Sequence, residues 1–291
     1  MTNESIIRSV LVAGSGSMGW GIFRSFACSG FDTTMLSRNP DRLPPLPAGA
    51  HAVNALPADP PDLIIESIPE IPDLKIDFFR QLGKAYGDVP IAASNTSGLP
   101  LEDLAAAYGH PHRFVGIHYF HPADVAPLIE VIPVADIDGS IVRQVVAALA
   151  KTGKEALVLK RPVPGFLINR LQHAILHEAY YLIEQGVVSV EDVDRAARRL
   201  FGPRMCITGL IQQKDLSGLD THALAQQAIV PHLWHGAEPC RLLQDKYERG
   251  DLGLKTGRGF YDWSGKDPAL VRKDVNERLG RLLEFLDKGA A

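Results

Sequence analysis

A histidine and a glutamate, twelve residues apart in an apolar stretch, are the side chains of this sequence best suited to acid–base chemistry. His118 lies in Phe-Val-Gly-Ile-His-Tyr-Phe and Glu130 in Leu-Ile-Glu-Val-Ile. Burying either group costs free energy unless it finds a partner, and the simplest partner for each is the other. Two interpretations follow: a catalytic base held by its orienting carboxylate, or a core histidine beside an unrelated strand-end acid.

A glycine-rich loop near the start of the chain predicts a dinucleotide site. The sequence Gly-Ser-Gly-Ser-Met-Gly lies between an apolar strand pattern at 6–13 and a helical pattern that runs to a glycine at position 30, and a second strand pattern follows at 32–36. In such a βαβ unit the glycines permit a tight turn, close approach to a pyrophosphate and close helix–strand packing, and the helix N-terminus binds the anion. The predicted cofactor-binding residues here are Gly14, Gly16, Ser17, Met18 and Gly19.

The end of the second strand bears on which nicotinamide cofactor is used. NAD enzymes usually place an acid there to bind the adenosine ribose, whereas this chain has Ser37 and Arg38. No carboxylate is present there to repel a 2′-phosphate, and the Ser37 hydroxyl and the Arg38 guanidinium are available to bind it. We expect NADP(H) to be preferred. The alternative is a solvated Arg38 with NAD(H) held in another way.

Strands and helices alternate as far as about residue 159, which predicts a doubly wound, mostly parallel sheet. Ligands of such folds lie at the carboxyl ends of the strands, so Glu70 and Asn95 are candidate cofactor-binding residues. The Pro- and Gly-rich segment 161–165 breaks the alternation, and only helical patterns follow. We therefore predict an N-terminal Rossmann domain (1–162) and a C-terminal all-α domain (163–291), the second used for substrate binding and homodimerisation.

Asn169 is an amide in an otherwise apolar helix start. It is either a local hydrogen-bonding side chain or a donor to a substrate oxygen beside His118. The pair His173 and His177 has helical spacing, but Ala174 occupies the position where a zinc protease would need glutamate, so we predict no metal.

Composition excludes several other classes of protein. The net charge of −4 comes with no basic block, which argues against nucleic-acid binding, and no apolar run approaches the roughly 18–20 residues that would span a bilayer. The three cysteines are far apart and form no CxxC motif. We therefore expect a cytoplasmic protein.

In order and spacing these segments resemble the 3-hydroxyacyl-CoA dehydrogenase family over nearly the whole chain. The segments that carry the resemblance are 14–19, 65–70 (Ile-Glu-Ser-Ile-Pro-Glu), 94–97 (Ser-Asn-Thr-Ser), 116–122 (Gly-Ile-His-Tyr-Phe-His-Pro), 129–132, 164–170 (Pro-Gly-Phe-Leu-Ile-Asn-Arg) and 253–261. The resemblance implies a Rossmann domain with a helical dimerisation domain. It also implies that His118 is the base and Glu130 its partner, and that Ser97 and Asn169 lie near the substrate oxygen.

Three features depart from the family pattern. Ser37 replaces the usual acid, and His121, expected near the nicotinamide, replaces the usual asparagine. Residues 43–62 are too few for the helical insertion that helps hold CoA in the family. The segment 201–220 looks more like the branch of lambda-crystallin, gulonate and carnitine dehydrogenases, where Arg204 would either pair with a substrate carboxylate or cap a helix or bridge a dimer. Lys75 is interpreted as a solvated helix charge.

The sequence therefore predicts an NAD(P)-dependent oxidoreductase that interconverts a 3-hydroxy acyl or 3-hydroxy acid substrate and its 3-keto form. Removal of the hydroxyl proton by His118 accompanies hydride transfer. One alternative is an enzyme for another small or carrier-tethered alcohol. The alternative from another class is a catalytically idle dinucleotide-binding protein with a structural or sensing role.

Overall fold

The chain forms two compact units, one of sheet and helices and one of helices. The computed structural model describes residues 6–289, and the chain divides between Arg170 and Leu171. The first unit contains an eight-stranded sheet, and from Leu171 onward the described residues form helices and turns, with isolated β-bridges between residues 253 and 262. The predicted fold class, a Rossmann sheet followed by a helical domain, is confirmed.

The sheet has the strand order of a Rossmann fold with two further strands at one edge. Its order is β3-β2-β1-β4-β5-β6-β7-β8, parallel throughout except that β6 and β7 are antiparallel. The order reverses between β1 and β4, the point where such sheets bind nucleotides. The strands are β1 (Ser9–Ala13), β2 (Asp32–Leu36), β3 (His51–Val53), β4 (Leu63–Glu66), β5 (Ile91–Ser94), β6 (Phe114–Tyr119), β7 (Leu128–Pro133) and β8 (Glu155–Val158).

Helices cover both faces of this sheet because successive side chains of each apolar strand point to opposite faces. Val10 and Val12 of β1 face one apolar cluster, shared with α1 (Ser17–Ala27) and α4 (Gly139–Lys151). Leu11 and Ala13 face the other, shared with α2 (Pro72–Tyr86) and α3 (Leu101–Tyr108). Burial on both faces explains why β1, β4 and β5 read as continuous apolar runs.

The second unit is helical and has almost no buried side chain of its own. Among its described residues only Cys240 is buried, and many large apolar side chains are exposed. No helix of residues 6–289 combines the length and the apolar character needed to cross a membrane. The helices are α5 (Ile168–Glu184), which begins just before the division, α6 (Val190–Ala196), α7 (Gly202–Thr208), α8 (Gln212–Ser217), α9 (Leu219–Ile229), α10 (Arg241–Glu248) and α11 (Pro268–Gly289).

The chain divides eight residues after the proposed domain boundary at residue 162, and Leu167 and Ile168 donate their amides to Glu130 and so bind the intervening segment to the sheet. The structure also contains two elements that the sequence patterns do not predict. Strand β3 was not expected in a proline-rich segment; it is three residues long and pairs only with β2. Helix α3 was also missed, since its eight residues are flanked by proline and glycine.

Candidate active site

The glycine-rich loop joins β1 to α1 at the point where the strand order reverses. Gly14 has φ +107°, a backbone conformation that other residues rarely adopt, and a Cβ at Gly19 would collide with the Gly14 carbonyl oxygen. A Cβ at Gly16 would meet no atom within 4 Å, so the backbone there faces open space. Helix α1 has no acid in its first turn and no side-chain cap. Its first amide N–H groups therefore suit a pyrophosphate, and the loop fits a dinucleotide.

A cavity of about 1050 Å³ extends along the carboxyl ends of the strands from this loop. The volume is at the upper end of the range for ligand pockets, roughly 300–1,000 Å³. Most of the predicted site residues line it: Gly14, Gly16, Ser17, Met18, Ser37, Arg38, Glu70, Asn95, Ser97, His118, His121 and Asn169. Gly19 packs behind the loop and Glu130 behind His118. Within residues 6–289 no cluster of His, Cys, Asp and Glu is arranged to hold a metal ion.

His118 and Glu130 form a buried pair because β6 and β7 are antiparallel and place the two residues directly opposite each other. Directly opposed side chains share one face of a sheet. The His118 Nδ1 and Glu130 Oε2 atoms lie 2.7 Å apart, and the residues are 4% and 0% exposed. With Nδ1 donating its proton to the carboxylate, Nε2 carries the lone pair that a general base needs.

Glu130 also holds the start of α5. Its Oε1 accepts hydrogen bonds from the backbone amides of Leu167 (2.8 Å) and Ile168 (2.9 Å). Burial alone would raise the pKa of Glu130, but the bond to His118 and the two amides outweigh it and hold the pKa below its ordinary value. Phe166, just before these amides, has φ +52° and its ring lies 5.4 Å from that of His118. This strained residue aims the following amides at the carboxylate.

Ser97 and Asn169, the two groups expected near a substrate oxygen, contact each other. Asn169 Nδ2 lies 3.3 Å from the Ser97 carbonyl oxygen. Asn95, predicted to bind cofactor, also has a structural part: its Oδ1 accepts from the Tyr119 amide (2.8 Å) and its Nδ2 donates to Ser67 Oγ (3.1 Å). These bonds connect the loops after β4 and β5 to the end of β6, so the groups that line the cavity are held together.

The interpretation of Lys75 as a solvated charge is wrong. Lys75 is fully buried, and its Nζ lies 2.5 Å from Glu66 Oε1 and 3.1 Å from Glu70 Oε2. Its apolar neighbours in the sequence gave no sign of this. The available signal was Glu66, a carboxylate at the end of an otherwise apolar strand, which requires a buried partner.

The end of the cavity beside β2 combines predicted and unpredicted residues. Ser37 is 5% exposed and its Oγ lies 2.9 Å from Ser15 Oγ, while Arg38 is exposed beside it. Among the lining residues that sequence reasoning missed are one after β3 and four along α2: Asn54, Leu74, Asp77, Phe78 and Gln81. The periodicity of α2 could have indicated its exposed face, but not that the face borders a cavity.

His121 and Arg204 complete the predicted set. His121 is exposed at the cavity, at the start of the loop that joins β6 to β7. Lys154, nearly buried, holds that loop by donating to the carbonyl oxygens of Asp124 (3.1 Å) and Ala126 (2.7 Å). Arg204 lies in the second unit, exposed on α7.

Comparison with known proteins identifies the family. Residues 57–162 match the model of the 3-hydroxyacyl-CoA dehydrogenase NAD binding domain, and residues 165–263 match that of the C-terminal domain. The chain belongs to the 3-hydroxyacyl-CoA dehydrogenase family. It is therefore a nicotinamide-dependent dehydrogenase that acts on the CH–OH group of 3-hydroxy substrates, as the segments quoted above imply.

The relatives and solved structures that this chain is similar to are named for different substrates. A probable 3-hydroxybutyryl-CoA dehydrogenase of Bacillus subtilis is 31% identical over 89% of this chain and 99% of its own. The 5-formyl-3-hydroxy-2-methylpyridine 4-carboxylate 5-dehydrogenase of Mesorhizobium japonicum is 29% identical over 78% of this chain and 73% of its own.

The same contrast appears among the structures. A 5-formyl-3-hydroxy-2-methylpyridine 4-carboxylic acid 5-dehydrogenase, described as an NAD⁺-dependent dismutase, covers 97% of this chain and 99% of its own at 25% identity, with a TM-score of 0.90. The 3-hydroxyacyl-CoA dehydrogenase of Archaeoglobus fulgidus covers 96% and 99% at 29% identity, with a TM-score of 0.70.

Proposed function

We propose that His118 is the base that removes the hydroxyl proton of a 3-hydroxy substrate and that Glu130 holds it in the reactive tautomer. The observation that carries this proposal is the buried 2.7 Å contact between His118 Nδ1 and Glu130 Oε2 at the wall of the cavity. In the reverse direction the His118 imidazolium returns the proton to the reduced ketone. The bound nicotinamide supplies or accepts the hydride.

Ser97 and Asn169 are proposed to hold the substrate oxygen while its charge changes. Both line the cavity with His118, and preorganised donors at such a position stabilise a developing oxyanion. Since Asn169 Nδ2 already lies 3.3 Å from the Ser97 carbonyl oxygen, one of its two N–H groups is available for a substrate.

His118→Asn is the direct test. Removing the base should lower kcat about 10²- to 10⁴-fold while the dissociation constant of the cofactor stays unchanged, measured by initial rates and by fluorescence titration. A His118→Asn protein with full activity contradicts the mechanism. Retained cofactor binding with no turnover of any substrate by the wild-type protein would instead favour the idle dinucleotide-binding alternative.

We further propose that the substrate is a small free 3-hydroxy acid, or a similar small molecule, in place of an acyl-CoA. The support is the segment 43–62, which the structure builds from turns and the three-residue strand β3 with no α-helix. It offers no counterpart to the helical insertion that helps hold CoA in the family. Initial rates with acetoacetyl-CoA and with free 3-keto acids decide the matter, and a strong preference for the CoA thioester refutes the proposal.

The TM-score of 0.90 to the pyridine aldehyde dehydrogenase supports a second candidate function, the oxidation and dismutation of a small aromatic aldehyde. Among the described residues that line the cavity there is no cysteine to form a thiohemiacetal. The aldehyde hydrate, RCH(OH)₂, has a hydroxyl proton that His118 could remove as hydride leaves carbon, giving RCOOH and reduced cofactor. A second RCHO consumes that hydride and a proton to give RCH₂OH. Equal yields of acid and alcohol from catalytic cofactor test this candidate.

We propose NADP(H) as the preferred cofactor, with NAD(H) possible. The support is the absence of a carboxylate at the end of β2, where Ser37 is held by Ser15 and Arg38 is exposed at the cavity. Against this, the solved dismutase is described as NAD⁺-dependent. Ser37→Asp should raise kcat/KM with NADH relative to NADPH, and a wild-type preference for NADH contradicts the proposal.

His121→Asn, which restores the family residue, tests whether His121 affects cofactor binding.

We propose that the chain forms a homodimer through its helical unit. The support is that the described residues of this unit bury only Cys240, while Ile207, Ile211 and Leu216 are 76%, 73% and 72% exposed. A surface this apolar needs a partner, and a second copy supplies a matching one. Light scattering should give twice the chain mass of 31.7 kDa, and a monomer at micromolar concentration refutes the proposal.

Two further proposals concern Arg204 and the cellular compartment. Arg204→Gln should raise KM for a carboxylate substrate if its guanidinium pairs with that carboxylate, and should leave KM unchanged otherwise. Cytoplasmic location is supported by three cysteines that are all free thiols.

A further inference from the structure

A chain of three charged side chains extends from the core of the first unit to the cavity wall. It begins at Glu66, which is 0% exposed at the end of β4. Its Oε1 accepts from the Ile68 amide (2.8 Å) and from Lys75 Nζ (2.5 Å), and its Oε2 accepts from Ser94 Oγ (2.6 Å). Each oxygen is thus occupied, as a buried carboxylate requires.

Lys75 contacts both Glu66 and Glu70, and it therefore restrains the Glu70 side chain. Its Nζ, itself fully buried in the first turns of α2, lies 3.1 Å from Glu70 Oε2. Glu70 is half-exposed at the cavity, so without the buried lysine its side chain would have several solvated rotamers to choose from. Two carboxylates share one ammonium, which leaves one net negative charge at this end of β4.

Glu70 in turn holds the Ser97 loop. Its Oε1 accepts from the Thr96 hydroxyl (2.5 Å) and from the Ser97 amide (2.8 Å). Burial would raise the pKa of Glu70, but the Thr96 hydroxyl, the Lys75 charge and the Ser97 amide outweigh it, so that its pKa lies below the ordinary value. Ser97 is also held through its carbonyl oxygen, which accepts a hydrogen bond from Asn169 Nδ2 at 3.3 Å. The Ser97 hydroxyl makes no hydrogen bond with the described residues and is free to face a ligand.

We propose that Glu70 is a positioning residue for Ser97, kept in place by the buried pair Lys75–Glu66, as Glu130 is for His118. The inference rests on the proposed role of Ser97 at the substrate oxygen. Removing the Glu70 carboxylate should let the Ser97 loop move by about an ångström, and a shift of that size costs on the order of 10²-fold in rate. The loss should therefore fall on kcat, whatever the change in the dissociation constant of the cofactor, for which Glu70 is also a candidate ligand.

The experiment compares Glu70→Ala with Asp73→Asn, a matched control that removes an exposed acid from the first turn of α2. Initial rates give kcat and KM, fluorescence titration gives the cofactor dissociation constant, and amide hydrogen exchange reports on the peptide that contains Ser97. We expect about a 10²-fold lower kcat and faster exchange of that peptide in Glu70→Ala, with neither change in Asp73→Asn. A raised cofactor dissociation constant with unchanged kcat and exchange would assign Glu70 to cofactor binding and overturn the proposal.

Double substitution separates positioning from a general structural effect. If Glu70 acts through Ser97, the Ser97→Ala and Glu70→Ala losses in kcat should not multiply, and the double variant should be about as active as Ser97→Ala alone. Multiplied losses contradict the proposal. Should Glu70→Ala fail to fold, Thr96→Val removes one bond to the same carboxylate oxygen and should give a smaller change of the same kind.

Hydrogen exchange also distinguishes this inference from the proposed function. If the wild-type protein turns over no substrate while Glu70→Ala still speeds exchange at Ser97, the proposed function fails and the positioning contact stands. If the wild-type protein is active and Glu70→Ala changes neither exchange nor kcat, the function stands and the positioning role fails.

Discussion

Replacing Glu130 with glutamine changes one oxygen to an amide nitrogen and tests the geometry of the base directly. The glutamine oxygen should take the Oε1 position, because the amides of Leu167 and Ile168 both need an acceptor there. The new NH₂ group then faces His118 Nδ1 at 2.7 Å and forces that nitrogen to accept a hydrogen bond. The imidazole proton moves to Nε2, so the nitrogen that should remove the substrate proton is blocked.

The expected loss in kcat is about 10³- to 10⁴-fold, similar to the effect of an aspartate-to-asparagine change behind a catalytic histidine in serine proteases. At 1.36 kcal/mol for each factor of ten, this is about 4–5.5 kcal/mol of activation free energy. Stability should fall less. Two backbone amides exchange a charged acceptor for a neutral one, which costs about 1 kcal/mol each, and about 2 kcal/mol lowers Tm by roughly 4–8 °C for a domain of this size.

Initial rates, cofactor titration and thermal unfolding of Glu130→Gln and of Glu155→Gln would measure these quantities. Glu155 is exposed at the start of β8 and controls for loss of a charge near the same edge of the sheet. Only Glu130→Gln should lose activity, and both proteins should bind cofactor. A Glu130→Gln enzyme within tenfold of the wild-type kcat would refute the tautomer argument.

Three further predictions follow from the first unit. Gly19→Ala should lower the free energy of unfolding by about 2–3 kcal/mol because the Cβ collides with the Gly14 carbonyl oxygen, whereas Gly16→Ala, which meets no atom within 4 Å, should unfold like the wild type; equal denaturation midpoints contradict this. Tyr119→Phe should raise the free energy of unfolding by about 1 kcal/mol because it removes a buried hydroxyl that has no hydrogen-bond partner, and a lower Tm would show that the hydroxyl has one. The folded-state pKa of Glu130 lies below its ordinary value of about 4.3. Its contribution to the free energy of unfolding is therefore present above the ordinary pKa and is lost as the pH falls through the folded-state pKa. The free energy of unfolding of Glu130→Gln should lack this decrease at acidic pH.

The parts of the site that the sequence predicts are those formed by residues close together in the chain. The glycine loop needs only its own turn and the next helix to make an anion site, and its surroundings of strand and helix are local patterns. His118 and Glu130 were also accessible, because a charged group in an apolar run requires a partner and few were available. A purely structural pair fits the same sequence pattern equally well, and the pattern contains no information on the distance between the two groups.

The features that sequence could not predict depend on which strands are neighbours. Only the antiparallel pairing of β6 and β7 places His118 opposite Glu130, and the sequence predicted no such reversal within a parallel sheet. Lys75 was misread because its partner Glu66 ends a strand that lies beneath α2 only in the folded chain. The contact of the segment 163–170 with the sheet is another such feature, since the amides that make it have their acceptor about forty residues earlier.

The sequence by itself determined the Rossmann order of strand, glycine loop and helix, the candidate base and its acid, and the family to which they belong. The tertiary structure alone decided how those groups are held: Glu130 between a histidine and a helix start, and Glu70 between a buried lysine and the Ser97 loop. Local patterns follow from the periodicity of helices and strands, which each short segment carries in full. Contacts between distant segments depend on the packing of the whole unit, and no single segment contains that information.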